Sequence, residues 1–150
     1  MPKRGSNIQQ ADHIAIPLLN GSAGLAQVAL ATERAVLLFL TAKPAPHKGQ
    51  IAPLRAADVV SILPVTRAGL GDTQWPILGY DALPRAVPID PAALDQDLHD
   101  PALVEAFVNA LHGLYPWDAF PDPKIFNALL RPDQDGGQLT PSTARLTSQM

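Results

Sequence analysis

The chain has 150 residues, of which 47% are hydrophobic and 17% charged, with 16 prolines and no cysteine. This length fits one domain with a substantial core, whereas the frequent prolines exclude a coiled coil or a bundle of long helices. The longest apolar run, residues 35–40, is far shorter than the roughly 20 residues that a membrane span requires. The absence of cysteine excludes disulfides and thiolate chemistry, and it fits a cytoplasmic location.

The net charge of −3 combines two unequal halves of the chain. Residues 1–70 hold seven Lys and Arg against three Asp and Glu, whereas residues 71–150 hold four against eleven, which gives net charges of +4 and −7. An acidic C-terminal half repels phosphate backbones and argues against nucleic-acid binding. The same half suits a cationic protein partner, and a solvated helix surface is the plainer interpretation of it.

Two strands joined by a tight hairpin are predicted near the N-terminus. Apolar side chains alternate with others over residues 13–18, which is typical of a half-buried strand. Asn20-Gly21 favours a tight turn, after which a return strand is predicted over residues 23–31. Because proline donates no backbone hydrogen bond, Pro17 indicates that the first strand lies at an edge of the sheet or at a bulge.

Three more strands are predicted before residue 81. Residues 35–41 form a continuous apolar run, which indicates a strand that is buried on both faces. Residues 59–66 are rich in β-branched side chains and predict a fourth strand, which Pro64 should interrupt. Residues 75–80 form the fifth predicted strand, and residues 81–91, with three prolines, form a linker.

Two helices are predicted after the linker. Asp100-Pro101 is a helix start signal, Gly113 is placed as a C-cap, and the apolar residues between them recur at helical spacing. Asp122-Pro123 repeats the start signal for a short helix over residues 124–130. The fold class expected is therefore α+β: a twisted antiparallel sheet or small open barrel of about five strands, followed by two C-terminal helices.

One folded domain is expected between two polar ends. Residues 1–10 are predicted to be flexible, and residues 131–150, which are rich in Gly, Ser, Thr and Gln, are predicted to form a disordered tail. The domain itself should span residues 11–130, with the sheet in residues 11–80 and the helical part in residues 91–130.

No motif in the sequence predicts catalysis, a cofactor or a metal ion. The four histidines lack zinc-ligand spacing, and their expected role is structural. The segment Gly21-Ser22-Ala23-Gly24 lacks the pattern of a nucleophile elbow or a phosphate loop, and it is interpreted as part of the hairpin. The chain is therefore interpreted as a protein without an enzymatic function.

Aromatic and acidic residues concentrate in the C-terminal half. Five of the eight aromatic residues fall between Phe107 and Phe126, in a segment stiffened by prolines. Packing of two helices on the sheet explains this density, but Tyr and Trp are also favoured at protein interfaces. The partner-facing surface is therefore hypothesised to comprise Asp81, Asp90, Asp95, Asp97, Tyr115, Trp117, Asp118 and Asp122.

The N-terminal strands carry a recognisable arrangement: an acidic residue, an Ala-Ile-Pro-Leu strand, an Asn-Gly turn and a Gly/Ala-rich return strand. The residues concerned are Asp12, Ala15, Ile16, Pro17, Leu18, Asn20, Gly21 and Val28. This arrangement resembles the immunity protein 26 family of bacterial polymorphic-toxin systems, and Trp75-Pro76-Ile77-Leu78-Gly79 is similar to the family's tryptophan-bearing strand. The resemblance covers about residues 12–80. It implies a cytoplasmic protein that neutralises a toxin by binding it, without catalysis.

Two other functions remain open from the sequence. The first is a small-molecule or enzymatic site in a β pocket, formed by His13, His47 or Asp72 near Trp75. The second is an accessory subunit of a phage or bacterial assembly, for which the acidic face would be the docking surface.

Overall fold

The computed structural model describes residues 8–46, 50–68, 70, 75–95, 97–116 and 125–130. The strands are β1 (Asp12–Pro17), β2 (Ala23–Ala31), β3 (Ala35–Pro44), β4 (Val59–Thr66) and β5 (Ile77–Tyr80). Two helices follow, α1 (Pro101–Leu111) and α2 (Ile125–Leu129), and short 3₁₀ helices lie at Ala56–Asp58 and Pro91–Asp95. The strands form one open antiparallel sheet in the order β4-β3-β2-β1-β5. The α+β class is therefore confirmed, with an open sheet.

The β1–β2 hairpin forms where the sequence predicts it. Gly21 has a φ of 87°, and its N–H donates to the carbonyl oxygen of Leu18 at 3.1 Å. The side chain of Asn20 accepts a hydrogen bond from the backbone N–H of Ser22 at 3.0 Å. Because glycine reaches positive φ without steric cost, this turn depends directly on the Asn-Gly pair.

The expectation that Pro17 marks an edge strand is wrong, and although β1 carries a bulge, the bulge lies at His13 and Ile14 rather than at Pro17. Strand β1 lies between β2 and β5, and its register with β5 shifts between His13 and Ile14. The N–H of Ala15 donates to Pro76 on the β5 side, and Pro17, two residues on, directs its nitrogen to that same side. Because the pairing with β5 ends at Ile14, no ladder hydrogen bond is lost at Pro17.

The expected interruption of the fourth strand at Pro64 is also wrong. Strand β4 runs continuously from Val59 to Thr66 at the edge of the sheet. Thr66 donates its N–H outward, to the carbonyl oxygen of His99 at 3.0 Å, so the Pro64 nitrogen, two residues earlier, also faces outward. An edge strand tolerates proline in that position because the neighbouring strand needs no donor there.

Both faces of the sheet are covered. On one face, the helix side, α1 and α2 pack their apolar residues against the strands, and Trp75 and Ile8 join this core. On the other face, the loop side, the core is closed by residues from the segments before β4 and after β5, including Leu54, Val87 and Leu94. Residues 35–41 are accordingly buried throughout, as the sequence predicts.

The described fold includes residues before residue 11, where the sequence predicts the domain to begin. Ile8 is fully buried in the helix-side core, and its carbonyl oxygen accepts a hydrogen bond from Arg67 at 2.9 Å. Gln10 donates to the carbonyl oxygen of Ala29 at 3.0 Å. The remaining residues predicted to be flexible, 1–7, and the predicted tail, 131–150, lie outside the described residues.

Helix α1 begins and ends as predicted. Asp100 accepts a hydrogen bond from the N–H of Ala102 at 2.8 Å, Pro101 occupies the first turn, and Gly113 follows the helix with a φ of 76°. Gly24 of β2 lies beneath α1, where a Cβ atom would be 2.8 Å from Val108 Cγ1. The helix therefore approaches the sheet at a point where the strand carries no side chain.

The second predicted helix is shorter than expected. Within the described residues, α1 is the one helix of at least seven residues, whereas α2 has five. The hydroxyl of Ser61 in β4 donates to the carbonyl oxygen of Leu129, which a longer helix would use internally. Phe126 is fully buried, with its ring centroid 5.5 Å from that of Phe107. The short helix is therefore held by tertiary contacts.

Candidate protein-binding surface

Four exposed carboxylates lie close together along the chain before α1. We call them the acidic segment: Asp90, Asp95, Asp97 and Asp100. Leu94, between them, is buried in the loop-side core. His99 donates its N–H to Pro64 at 2.9 Å and accepts from Thr66 at 3.0 Å, which forms a parallel bridge to β4. The acidic segment is thus fixed at the β4 edge of the sheet.

The carboxylates of the acidic segment have two different local roles. Asp90 accepts from the N–H of Ala92 at 3.0 Å, and Asp100 caps α1. Asp95 and Asp97 accept no hydrogen bond from a described residue, although Asp97 lies near enough to His99 to oppose the lowering of its pKa by burial. Ion pairs in the described ranges join Asp58 to Lys43 and to Arg55, so none of them neutralises the acidic segment.

The structure separates two other residues of the hypothesised surface, Asp81 and Tyr115, from the acidic segment. Asp81 follows β5, which forms the opposite edge of the sheet from β4. Tyr115 is half-buried on the helix side, where its ring centroid is 6.2 Å from that of Phe126. The remaining members, Trp117, Asp118 and Asp122, lie outside the described residues. Of the five hypothesised residues that the structure describes, Asp90, Asp95 and Asp97 share the acidic segment and the other two do not.

A buried polar pair lies on the loop side of the sheet. His13 of β1 is directly opposite Gln27 of β2, and both side chains are fully buried. Gln27 Nε2 donates to the carbonyl oxygens of Ala11 at 3.1 Å and Asp81 at 2.9 Å. Neither ring nitrogen of His13 has a hydrogen-bond partner among the described residues, and the same is true of Gln27 Oε1.

His13 is favoured in its neutral form. Burial lowers its pKa, against the opposing effect of the carboxylates of Asp81 and Asp12. His13 is fully buried, so in this conformation its ring is not exposed to solvent or to a substrate outside the fold. The arrangement therefore fits a structural role for His13 in which folding favours the uncharged ring.

Of the residues of the alternative β pocket, His13 and Trp75 are described, and they lie on opposite sides of the sheet. His13 lies on the loop side, whereas Trp75 is buried on the helix side, where its indole N–H donates to Glu105 Oε2 at 2.7 Å. His47 and Asp72 lie outside the described residues. No group of three or more His, Asp or Glu side chains suited to a metal ion occurs in the part of the chain that the structure describes.

Three contributors to the structure went unnoticed in the sequence. Gln27 and Asn109 are buried polar residues that link separate elements, and no local pattern marks either of them. Arg34, in the turn between β2 and β3, lines a cleft together with Asp95. These two residues are far apart in sequence, so only the folded chain reveals their proximity.

Comparisons with known proteins give no relative for this chain. No family model matches it, and neither the curated proteins nor the solved structures contain a significant match. Within the described ranges, neither helix has the length and apolar character needed to cross a membrane.

Proposed function

We propose that the chain is a non-catalytic binding protein whose acidic segment docks a cationic protein partner. The observation that carries this proposal is that Asp95 and Asp97 are exposed and that neither forms an ion pair with a described cation. They lie on a segment that is hydrogen-bonded to the edge of the sheet through His99. Asp90 and Asp100 add negative charge on either side of them. A concentration of one charge on a fixed segment is the arrangement that electrostatic docking needs.

The physical advantage of this arrangement lies in association rate and preorganisation. Complementary charge steers diffusional encounter and raises the association rate, with a strong dependence on ionic strength. Because the backbone around the carboxylates is already held by Leu94 and by the His99 bridge to β4, binding would order few additional groups. The entropic cost of docking is correspondingly reduced.

The class of partner follows from the sequence resemblance alone. The likeness of residues 12–80 to the immunity protein 26 family supports a bacterial toxin domain as the partner and the cytoplasm as the place of action. Many toxins that act on nucleic acid have a basic active cleft, to which an acidic surface would be attracted and which it would mask. In this proposal the chain inhibits by occupying that cleft and performs no reaction itself.

The test compares wild-type protein with the double variant Asp95→Asn/Asp97→Asn as baits in a lysate of the source cells. Asp81→Asn is the matched control because it removes one carboxylate at the opposite edge of the sheet. We expect that wild type and the control retain one basic protein and that the double variant does not retain it. Added salt should release this protein from the wild-type bait.

A second step measures function with the retained protein after purification. Stoichiometric inhibition of its nuclease activity by wild type, and weaker inhibition by the double variant, supports the immunity role. Equal binding by the double variant and wild type would overturn the acidic segment as the docking surface. An accessory subunit of a larger assembly would instead retain structural proteins without inhibiting any activity.

A further inference from the structure

A cleft of about 360 Å³ lies between the turn that joins β2 to β3 and the 3₁₀ helix Pro91–Asp95. Its volume is at the lower end of the range of about 300–1,000 Å³ that is usual for small-molecule sites. Leu30 and Leu94 provide apolar wall, while Arg34 and Asp95 bring opposite charges to the same cleft. The cleft is thus small, partly apolar and charged at two points.

Both walls of the cleft have a fixed backbone. In the β2–β3 turn, the N–H of Thr32 donates to Ala35 at 2.8 Å and the N–H of Arg67 donates to the carbonyl oxygen of Arg34 at 2.9 Å. In the opposite wall, Leu94 is buried and the N–H of Ala93 donates to Asp90 at 3.0 Å. Each wall therefore has a backbone that is held by hydrogen bonds of the fold itself.

The charges in the cleft are not used within the described structure. Arg34 and Asp95 form no ion pair with each other or with another described residue. The hydroxyl of Thr32, which also lines the cleft, is occupied in the turn, where it donates to the carbonyl oxygen of Ala35 and accepts from its N–H. Recognition of a ligand by side chains therefore falls to Arg34 and Asp95.

We infer that this cleft binds a small zwitterion, namely an α-amino acid with an apolar side chain. The guanidinium of Arg34 presents paired N–H donors that match a carboxylate, and the carboxylate of Asp95 accepts hydrogen bonds from an ammonium group. The ligand's apolar side chain lies against Leu30 and Leu94. A ligand with only a positive charge is repelled by Arg34, and a ligand with only a negative charge is repelled by Asp95. The zwitterion is therefore preferred over a ligand that carries either charge alone.

The experiment titrates the purified protein with leucine, N-acetyl-leucine and leucinamide, and follows binding by NMR chemical-shift changes. Leucine carries both charges, whereas each of the other two compounds lacks one of them. We expect saturable binding of leucine and weaker binding of N-acetyl-leucine and leucinamide. Arg34→Gln and Asp95→Asn should each weaken leucine binding, by up to about fivefold because both charges are exposed.

Matched controls are Arg85→Gln and Glu33→Gln, which remove exposed charges of the same signs outside the cleft lining. Both controls should bind leucine as wild type does. Tighter binding of leucinamide than of leucine would overturn the inference in favour of a cation site. Unchanged leucine binding in Arg34→Gln and Asp95→Asn, or the absence of saturable binding, would also overturn it. These measurements use no protein partner and are independent of the proposed docking function.

Discussion

The indole N–H of Trp75 donates a 2.7 Å hydrogen bond to Glu105 Oε2, which ties the segment before β5 to helix α1. Trp75 is almost completely buried in the helix-side core, whereas Glu105 is half-buried. Since hydrogen bonds to charged groups are stronger than those between neutral groups, this contact is a specific link between the two elements.

Trp75→Phe keeps an aromatic ring in the core but removes the indole donor. We expect it to lower the free energy of unfolding by about 2 kcal/mol, because a partly buried carboxylate loses its partner and the core loses volume. Urea denaturation of the purified variant measures this change. Glu105→Gln, which keeps an acceptor for the indole, should cost less. An equal loss of unfolding free energy in both variants would indicate that the charge of Glu105, rather than its hydrogen bond with the indole, stabilises the fold.

Gly24→Ala tests the close approach of α1 to β2. The added Cβ would be 2.8 Å from Val108 Cγ1 and 2.9 Å from His112 Nε2, so one of these groups must move. We expect a loss of about 1–3 kcal/mol in the free energy of unfolding, which is typical of an overpacked core. In the Val108→Ala background the same substitution should cost less, because the nearest atom is gone. Additive losses in the double variant would contradict this explanation.

Acidification should destabilise the protein through its histidines. Burial lowers the pKa values of His13, His99 and His112 in the folded state below their ordinary value of 6.5. Below about pH 6.5 the unfolded chain therefore takes up protons that the folded chain does not. The stabilisation is fully present above this pH and is lost as the pH falls through the lowered folded values.

The measurement is the free energy of unfolding at several pH values between 5 and 7.5, for wild type and for His13→Gln. His13 is fully buried, so its removal should flatten the decrease in stability at acidic pH more than removal of the half-buried His99 does. His99→Gln serves as the comparison. The same pH dependence in wild type and His13→Gln would contradict a folded state that favours neutral His13.

The carboxylates of the acidic segment should differ in their effect on stability. Asp100 caps α1, so Asp100→Ala should lower the free energy of unfolding by about 1 kcal/mol. Asp95→Asn/Asp97→Asn should stay within about 0.5 kcal/mol of wild type, because these exposed groups accept no hydrogen bond from a described residue. Thermal and urea denaturation compare the variants. A destabilised double variant would indicate that these aspartates serve the fold as well as any partner.

Local signals in the sequence predict the elements of this fold well, but long-range contacts escape them. The Asn20-Gly21 turn, the buried strand over residues 35–41 and the Asp100-Pro101 helix start each depend on neighbouring residues and are found as expected. The position of β1 inside the sheet depends instead on its pairing with β5, whose paired residues lie more than sixty positions further along the sequence. From the position of Pro17 in the sequence, a strand at the edge of the sheet could not be distinguished from an inner strand whose pairing with its neighbour ends before the proline.

The same limit applies to the candidate sites. The acidic segment is contiguous in the sequence, so its members could be predicted to lie together. Asp81 and Tyr115 could not be separated from it without the sheet order and the position of α1. The cleft between Arg34 and Asp95 joins the β2–β3 turn to a segment beyond β5, and no spacing rule connects two such loops.

Asn109 provides the last test, because it joins helix α1 to the β1–β2 turn. Its Oδ1 accepts from the N–H of Leu19 at 2.8 Å, and its Nδ2 donates to the carbonyl oxygens of Glu105 at 2.8 Å and Pro17 at 3.3 Å. Asn109→Ala removes these hydrogen bonds and leaves the Leu19 N–H without that acceptor. We expect a loss of about 1–3 kcal/mol in the free energy of unfolding and faster amide exchange at Leu19.

Ser22→Ala, at an exposed position of the same turn, is the control and should leave exchange at Leu19 unchanged. Slow exchange at Leu19 in Asn109→Ala would show that the hairpin does not need the helix to hold its turn.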